Sequence, residues 1–334
     1  MAIMVTGGDG YVGSQCVLAL LDSGYDVIIL DNHSSGHSEI SEHFSGLGTD
    51  GKLLGNIAGD LRFPETLGPC FRKERIDAVM HFAASSQVEE SMRDPAKYYA
   101  NNVAGTLNLL RAMMENGVWK MVYSSSAATY GNPKYTPIDE LHPQEPINPY
   151  GRTKLFIEKI LDDYDTAYGL RSVSLRYFNV AGADSKGRTG EWHDPESHLI
   201  PNIIKSSFGD GKEFRLFGTD YDTRDGTCIR DYVNVEDLAD AHVLALKYLI
   251  EGGRTDCFNL GTATGSTVRE VFSECEKVIG KKIPLKETAR RPGDPAVLVA
   301  DSTKAKKVLG WEPKHTLADS IRTAYEWEKK RRGL

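Results

Sequence analysis

No apolar run in the 334-residue chain approaches the roughly 20 consecutive residues that a membrane-spanning helix needs. Cysteine is scarce. The five present (Cys16, Cys70, Cys228, Cys257 and Cys275) are odd in number, and the closest two stand eighteen positions apart. That excludes a CxxC pair and a disulfide ladder, and suits free thiols in a reducing compartment. Nine dispersed histidines contain no HExxH, so a transition-metal site built by the protein has little support and none is expected. An excess of positive charge is also missing, since 40 Lys+Arg against 47 Asp+Glu leave a formal charge of -7. Such a surface repels phosphate backbones and anionic lipid. Neither nucleic acid nor a membrane is therefore expected as a partner, although a local basic pocket for a small anion stays open.

Gly7 follows the opening apolar residues at once, leaving no basic leader and no signal-like stretch, and cytoplasmic residence is the expectation. With 40% apolar and 26% charged residues the composition is that of an ordinary globular protein. At about 150 residues per domain, the length predicts about two domains with sizeable cores.

The first half alternates two periodicities. Short apolar runs at 3–5, 27–30, 78–82, 121–123 and 173–178 are predicted buried strands, and residues 11–22 and 103–115 repeat apolar positions three and four apart, as helices do. This βαβ rhythm predicts an α/β fold with a Rossmann-type, doubly wound parallel sheet. After Asn179 the texture turns to Gly, Pro and charge. The expected division is therefore 1–178 for a dinucleotide-binding domain and 179–334 for a smaller, partly discontinuous α/β substrate domain. Residues 235–249 and 257–260 read as a helix and a strand, so a segment of about 233–262 is expected to rejoin the first sheet. A last helix is expected over 317–330.

Between the first predicted strand and helix lies Thr6-Gly7-Gly8-Asp9-Gly10-Tyr11-Val12-Gly13. Gly7, Gly10 and Gly13 let the backbone turn tightly and approach a pyrophosphate, which the amides and dipole of a helix N-terminus stabilise. Alone, such a loop is as often an ordinary turn. Asp31, closing the second strand, adds a carboxylate that can accept from both ribose hydroxyls and would repel a 2'-phosphate, which favours NAD over NADP. Asp60, after a third strand-like stretch, suits either the adenine amine or a turn.

A second constellation joins Ser124, Ser125 and Ser126, at the end of a strand, to Tyr150 and Lys154. Asn148 and Pro149 predict a helix start, placing Tyr150 in the first turn and Lys154 one turn on, on the same face. A phenol ionises near pH 10, and a neighbouring ammonium and a helix N-terminus both favour its phenolate. Tyr150 would then be a usable general base near neutral pH.

These motifs resemble the extended short-chain dehydrogenase/reductase family and, within it, the UDP-glucose (UDP-galactose) 4-epimerases. The likeness runs nearly end to end. The glycine loop and Tyr150-x-x-x-Lys154 mark the superfamily, while residues 124–131 (SSSAATYG), 176–183 (RYFNVAGA) and 218–232 are more specific to the epimerases. The resemblance implies inversion of the 4-hydroxyl of a UDP-hexose through a transient 4-keto sugar, with NAD bound tightly. It further implies that Gly7, Gly10, Tyr11, Val12, Gly13, Asp31, Asn32, Asp60, Leu61, Phe82, Ala83, Ala84, Asn101, Ser124, Tyr150, Lys154 and Phe178 hold NAD. Ser126 and Tyr150 would face the reacting hydroxyl. Asn179, Leu199, Phe217, Arg230, Arg291 and Asp294 would hold the nucleotide diphosphate, Phe217 beside the uracil and the arginines on the phosphates, where Arg is the natural partner. Helices over about 96–115 and 150–168 would pair with their copies in a two-fold homodimer.

Three positions depart from the family pattern: Ser86, Glu89 and Leu298. Leu298 stands where the bulk of the sugar substituent is set, so UDP-N-acetylhexosamine and UDP-pentose remain alternative substrates. Sugar dehydratases need carboxylates just after the active-site hydroxyl, where this chain has Ala127 and Ala128. A catalytically silent NAD-binding regulatory protein is the alternative from another class, and such proteins usually lose the tyrosine or the lysine that this chain keeps.

Overall fold

The computed structural model describes residues 1–209, 213–290 and 295–334, with the side chains of residues 72 and 73 excepted. Six strands, β1 (Ala2–Thr6), β2 (Asp26–Asp31), β3 (Leu53–Ala58), β4 (Ile76–His81), β5 (Lys120–Ser126) and β6 (Arg171–Tyr177), form one sheet with the late strand Asp256–Leu260. Its order is β3-β2-β1-β4-β5-β6 followed by Asp256–Leu260, and every pairing is parallel. Successive side chains of a strand point to opposite faces, and both faces here are covered, so β1 is buried throughout. Ile3 and Val5 pack with Leu18, Leu21, Leu238 and Leu246 on one side. Met4 packs with Leu109, Leu110 and Leu161 on the other.

The helix expected over 11–22 forms as Tyr11–Asp22, and the last expected helix forms as Leu317–Arg331. The 235–249 segment forms the helix Val235–Ile250, capped by Asn234, whose side chain accepts from the Glu236 amide. The strand after it joins the far edge of the main sheet against β6. Two expectations need correction. Residues 103–115 do not form one regular helix: a wide π-helical turn at Tyr99–Ala104 precedes the α-helix Gly105–Glu115. The turn lets Asn102 reach across, accepting from the Ser85 amide (2.8 Å) and donating to Thr153 Oγ1 (3.1 Å), contacts an uninterrupted helix would not place there. Phe178, predicted at the end of a strand, lies just past β6; the chain breaks there and continues as Asn179–Ala181, which leaves the main sheet to pair with Tyr232–Asn234.

A second core gathers Ile200, Ile203 and Ile204 of helix Leu199–Ser207 with Phe214, Phe272 and Ile321, while Leu238, Leu246, Phe258 and Trp311 pack with the main sheet. One cavity is lined both by the C-terminal ends of parallel strands, where ligands of open α/β sheets bind, and by Ile200, Phe214 and Val268 of this second core.

One buried ion pair ties β6 to the helix Pro149–Tyr168. Arg176 donates from Nε (2.9 Å) and Nη2 (2.6 Å) to the two oxygens of Glu158, whose carboxylate also accepts from Ser125 and Gln144. Both side chains are 6% exposed. Removing one partner strands a buried charge, so Arg176→Ala is expected to cost about 3–5 kcal/mol. The double change Arg176→Met, Glu158→Leu is expected to recover most of it, as measured by urea unfolding.

Candidate functional site

The glycine loop sits at the end of β1, and its conformation excludes larger residues. Gly7 has φ +73°, and a Cβ on Gly13 would lie 2.0 Å from the Gly7 carbonyl oxygen. The helix Tyr11–Asp22 that follows has Gly10 at its N-cap, no side-chain cap and no acidic residue in its first turn. Its first amides and dipole are thus left for an outside anion. Nearby, Asp31 is buried and accepts from the amides of Asp9 (3.0 Å) and His33 (2.8 Å). Burial pushes its carboxyl up, against those two amides. A glycine cradle, an uncapped helix end and a carboxylate at the second strand end fit the pyrophosphate and ribose of a dinucleotide such as NAD.

From this loop a cavity of about 1930 Å³ runs along the strand ends and across to the second part of the chain. Single ligand pockets occupy roughly 300–1,000 Å³, so this one has room for two ligands end to end. One end is walled by Gly7, Gly10, Tyr11, Val12, Gly13, Asp31, Asn32, Leu61, Phe82, Ala83, Ala84 and Asn101. Ser124, Ser126, Tyr150, Lys154, Phe178 and Asn179 line the middle; Leu199, Phe217 and Arg230 line the far end. Asp60 and Leu298 are not among the lining residues. The Asp60 carboxylate is clasped by Arg62 and also accepts from Asn32, and the Arg62 bonds bring it down to about 2. Leu298 packs with Phe178 against Ala127, Tyr130 and Ile138, one layer behind the wall. Arg291 and Asp294 lie outside the described residues.

The middle of the cavity holds the serine strand end and the tyrosine-lysine pair. Asn148 caps the helix Pro149–Tyr168 by accepting from the Gly151 amide at 2.8 Å, so Tyr150 stands in its first turn as expected. The Tyr150 side chain faces that of Ser126, whose hydroxyl eases ionisation of the phenol. Lys154 is 3% exposed; its Nζ donates to the Ser124 carbonyl at 2.6 Å and lies 5.7 Å from the centre of the Tyr150 ring. The expectation of a favoured phenolate needs correction for the protein alone. Burial holds the Tyr150 phenol above its ordinary value, with the Ser126 hydroxyl acting in the opposite sense. Burial also brings the Lys154 ammonium down to about 7, although the charge of Glu158 supports it. Desolvation outweighs the lysine's influence because Nζ is aimed at a carbonyl oxygen, not at the phenol oxygen.

Several wall residues carry no local sequence signal. Tyr177 bonds the Ser124 hydroxyl beside Lys154, and its position just before Phe178 in the 176–183 motif could have marked it. Arg215 and Lys286 stand in register on the paired strands Phe214–Phe217 and Leu285–Thr288, both at the far end of the cavity. Ser86 and Glu89, the departures noted in the sequence, also line it, Glu89 carrying an exposed ion pair with Arg93.

Residues 4–324 match the family model described as GDP-mannose 4,6 dehydratase. The UDP-glucose 4-epimerase of Lactobacillus helveticus is 51% identical over 331 residues, covering 98% of this chain and 97% of that protein. The chain belongs to the UDP-glucose 4-epimerase family. Its fold superposes on the family's solved structures. The enzyme from Stenotrophomonas maltophila, with bound NAD and formylated UDP-arabinopyranose, gives a TM-score of 0.95 at 38% identity with both chains fully covered. The enzyme from Bifidobacterium longum, in complex with NAD+ and UDP, gives 0.94 at 39% identity with 99% of each chain covered. Membership agrees with Ala127 and Ala128 standing where dehydration would call for carboxylates.

The titration of Lys154 has a consequence for stability. Its ammonium dissociates near 7 in the folded, ligand-free chain and near 10.4 when unfolded. Between those values the unfolded chain holds a proton that the folded chain lacks, so this group's contribution to stability rises with pH from about 7 to about 10. Lys154→Met is expected to remove that slope, as read by urea unfolding of cofactor-stripped protein across this range.

Proposed function

We propose that the protein is an NAD-dependent epimerase that inverts the 4-hydroxyl of a UDP-hexose, interconverting UDP-galactose and UDP-glucose. The observation that carries this is the meeting of Ser126, Tyr150 and Lys154 midway along one cavity, between an uncapped helix N-terminus at one end and Arg230 at the other. Gly7, Gly10, Tyr11, Val12 and Gly13 hold the pyrophosphate of NAD; Asp31 and Asn32 take the adenosine ribose. Leu61, Phe82, Ala83, Ala84 and Asn101 flank the cofactor, with Asp60 beside the adenine through its partner Asn32. Ser124, Lys154 and Phe178 meet the nicotinamide half. When bound, NAD brings a positively charged ring to this dry wall and a reversible acceptor for the hydride of carbon 4.

Tyr150 takes the proton of the 4-hydroxyl, directly or through Ser126, and the carbon-4 hydrogen would leave as hydride to bound NAD, so that the two losses together give a 4-keto sugar and the same hydride and proton return to restore the alcohol. Inversion requires the sugar to turn over while the nucleotide stays fixed. Anchorage therefore has to be strong at the diphosphate and weak at the hexose. Asn179, Leu199, Phe217 and Arg230 provide it, with Arg291 and Asp294 expected to join them and Arg215 and Lys286 adding positive charge at that end. Leu298, behind Phe178, tunes the space for the sugar substituent. UDP-pentose is the second substrate to assay, because the Stenotrophomonas maltophila neighbour holds a UDP-arabinopyranose derivative.

Denatured, the purified protein is expected to release about one NAD(H) per chain, and the intact protein to turn over UDP-galactose with no added cofactor. Absence of either result would sink the proposal. Tyr150→Phe is expected to lower kcat by about 10²–10⁴-fold while UDP affinity stays close to wild type. Arg230→Ala is instead expected to weaken UDP binding by about ten- to a hundredfold, by losing a charge-assisted contact.

No helix among the described residues is long and apolar enough to cross a membrane. Five free cysteines suit residence in the reducing cytoplasm. Leu107 and Phe156 are 38% and 47% exposed on the helices Gly105–Glu115 and Pro149–Tyr168. We infer that these faces pair with a second copy in a four-helix homodimer. Sedimentation at micromolar concentration is expected to show a dimer, which Phe156→Glu should weaken.

A further inference from the structure

Ahead of the helix Leu199–Ser207, eight residues of loop gather two glutamates and two histidines that no sequence spacing had marked. One ligand atom each of Glu191, His193, Glu196 and His198 lies within 4.8 Å of the others. The imidazoles of His193 and His198 both present Nδ1 to the same oxygen, Oε1 of Glu191, His193 at 3.0 Å. The nearest oxygen of Glu196 is 3.8 Å from His193 Nδ1. Both carboxylates are only 5% exposed, while His193 and His198 are 24% and 53% exposed.

Two carboxylates this close and this buried repel each other and need compensating positive charge, which the His193 and His198 imidazoles supply as protons that a bound dipositive ion would displace. Lys205 approaches Glu196 from the outer side, on Oε2 at 3.6 Å, and leaves the convergent side to the two imidazoles. The backbone around the cluster is fixed. Trp327 donates to the Glu191 carbonyl at 3.0 Å, and Glu196 accepts from the amides of Ser197 and His198 at 2.8 and 2.9 Å. His193, Glu196 and His198 also line the large cavity, which gives an ion a way in.

We propose that Glu191, His193, Glu196 and His198 bind one divalent transition metal ion, with zinc the best match. Two neutral imidazoles and two carboxylates balance a dipositive charge, and mixed nitrogen and oxygen donors suit zinc and cobalt better than calcium or magnesium. Donor atoms about 2.0–2.2 Å from a tetrahedral ion stand roughly 3.3–3.6 Å apart, so the observed spread closes with movements on the order of 1 Å. Four protein donors leave no open position. The ion is structural: it pins the loop that delivers Leu199 to the cavity and takes no part in the epimerisation.

The test uses the full-length protein, freed of metal with a chelator and then given Zn²⁺ or Co²⁺ alone. One equivalent of Zn²⁺ per chain is expected to survive gel filtration and to raise Tm. Co²⁺ is expected to show the visible bands of a four-coordinate site. Glu191→Gln and His193→Ala should each weaken binding at least tenfold, while His43→Ala, a change outside the cluster, should leave it unaltered. Circular dichroism of each variant confirms that it has folded. Substoichiometric retention by the folded wild type, or equal retention by the folded cluster variants, would overturn the assignment.

Discussion

The ion pair between Arg176 and Glu158 is the contact on which the working part of the molecule depends. Glu158 lies one turn beyond Lys154 on the same helix, and its carboxylate takes both the Arg176 guanidinium from β6 and the Ser125 hydroxyl from β5. Those two strands end in Ser124, Ser126 and Tyr177, which meet Lys154 and Tyr150. Three elements are thereby held in one register by a buried charge pair, whose arginine also donates to the Tyr130 hydroxyl. A hydrophobic substitute could match its stability, but it would not orient the helix about its axis as a two-pronged bond does.

The same dryness sets the chemistry. In water a lysine beside a tyrosine would ease loss of the phenolic proton. Here, burial pushes the phenol up and the ammonium down together. In such surroundings the proton affinities of both groups respond strongly to a neighbouring charge, because a low dielectric magnifies each one.

Much of this was legible in the sequence because the decisive signals are local. Asn148 and Pro149 start a helix wherever they occur before a helical pattern, so the placing of Tyr150 and Lys154 followed from seven residues. Gly7, Gly10 and Gly13 mark a turn that larger residues cannot make. The central strands read as apolar runs because both faces of the sheet are covered. The third strand, LLGNIA, is only half-buried and gave no such run, so its place was known only through Asp60. The wide turn at Tyr99–Ala104 also left no pattern, since its cause is a tertiary contact from Asn102 to Ser85. Desolvation is equally invisible in one dimension: neither the depression of Lys154 nor the pairing of Arg215 with Lys286 on separate strands can be read from spacing.

An acidic protein that binds a doubly anionic nucleotide must concentrate its positive charge. The chain carries -7 overall, yet Arg215, Arg230 and Lys286 converge at one end of the cavity, and the uncapped helix N-terminus supplies positive potential at the other. The middle, where the reacting ring sits, has the opposite character. Beside Asn179, its polar side chains include the hydroxyls of Ser124, Ser126, Tyr150 and Tyr177 around one buried amine, against the flat apolar surface of Phe178. Charge at both ends and hydroxyls in the middle place the binding energy away from the reacting carbon. A ring held mainly through its diphosphate can rotate about the linkage and present either face to the same wall, whereas strong contacts along the ring would stabilise one face and oppose the other. On the proposed reading of the site, the distribution of charge along the cavity is itself the device that permits inversion.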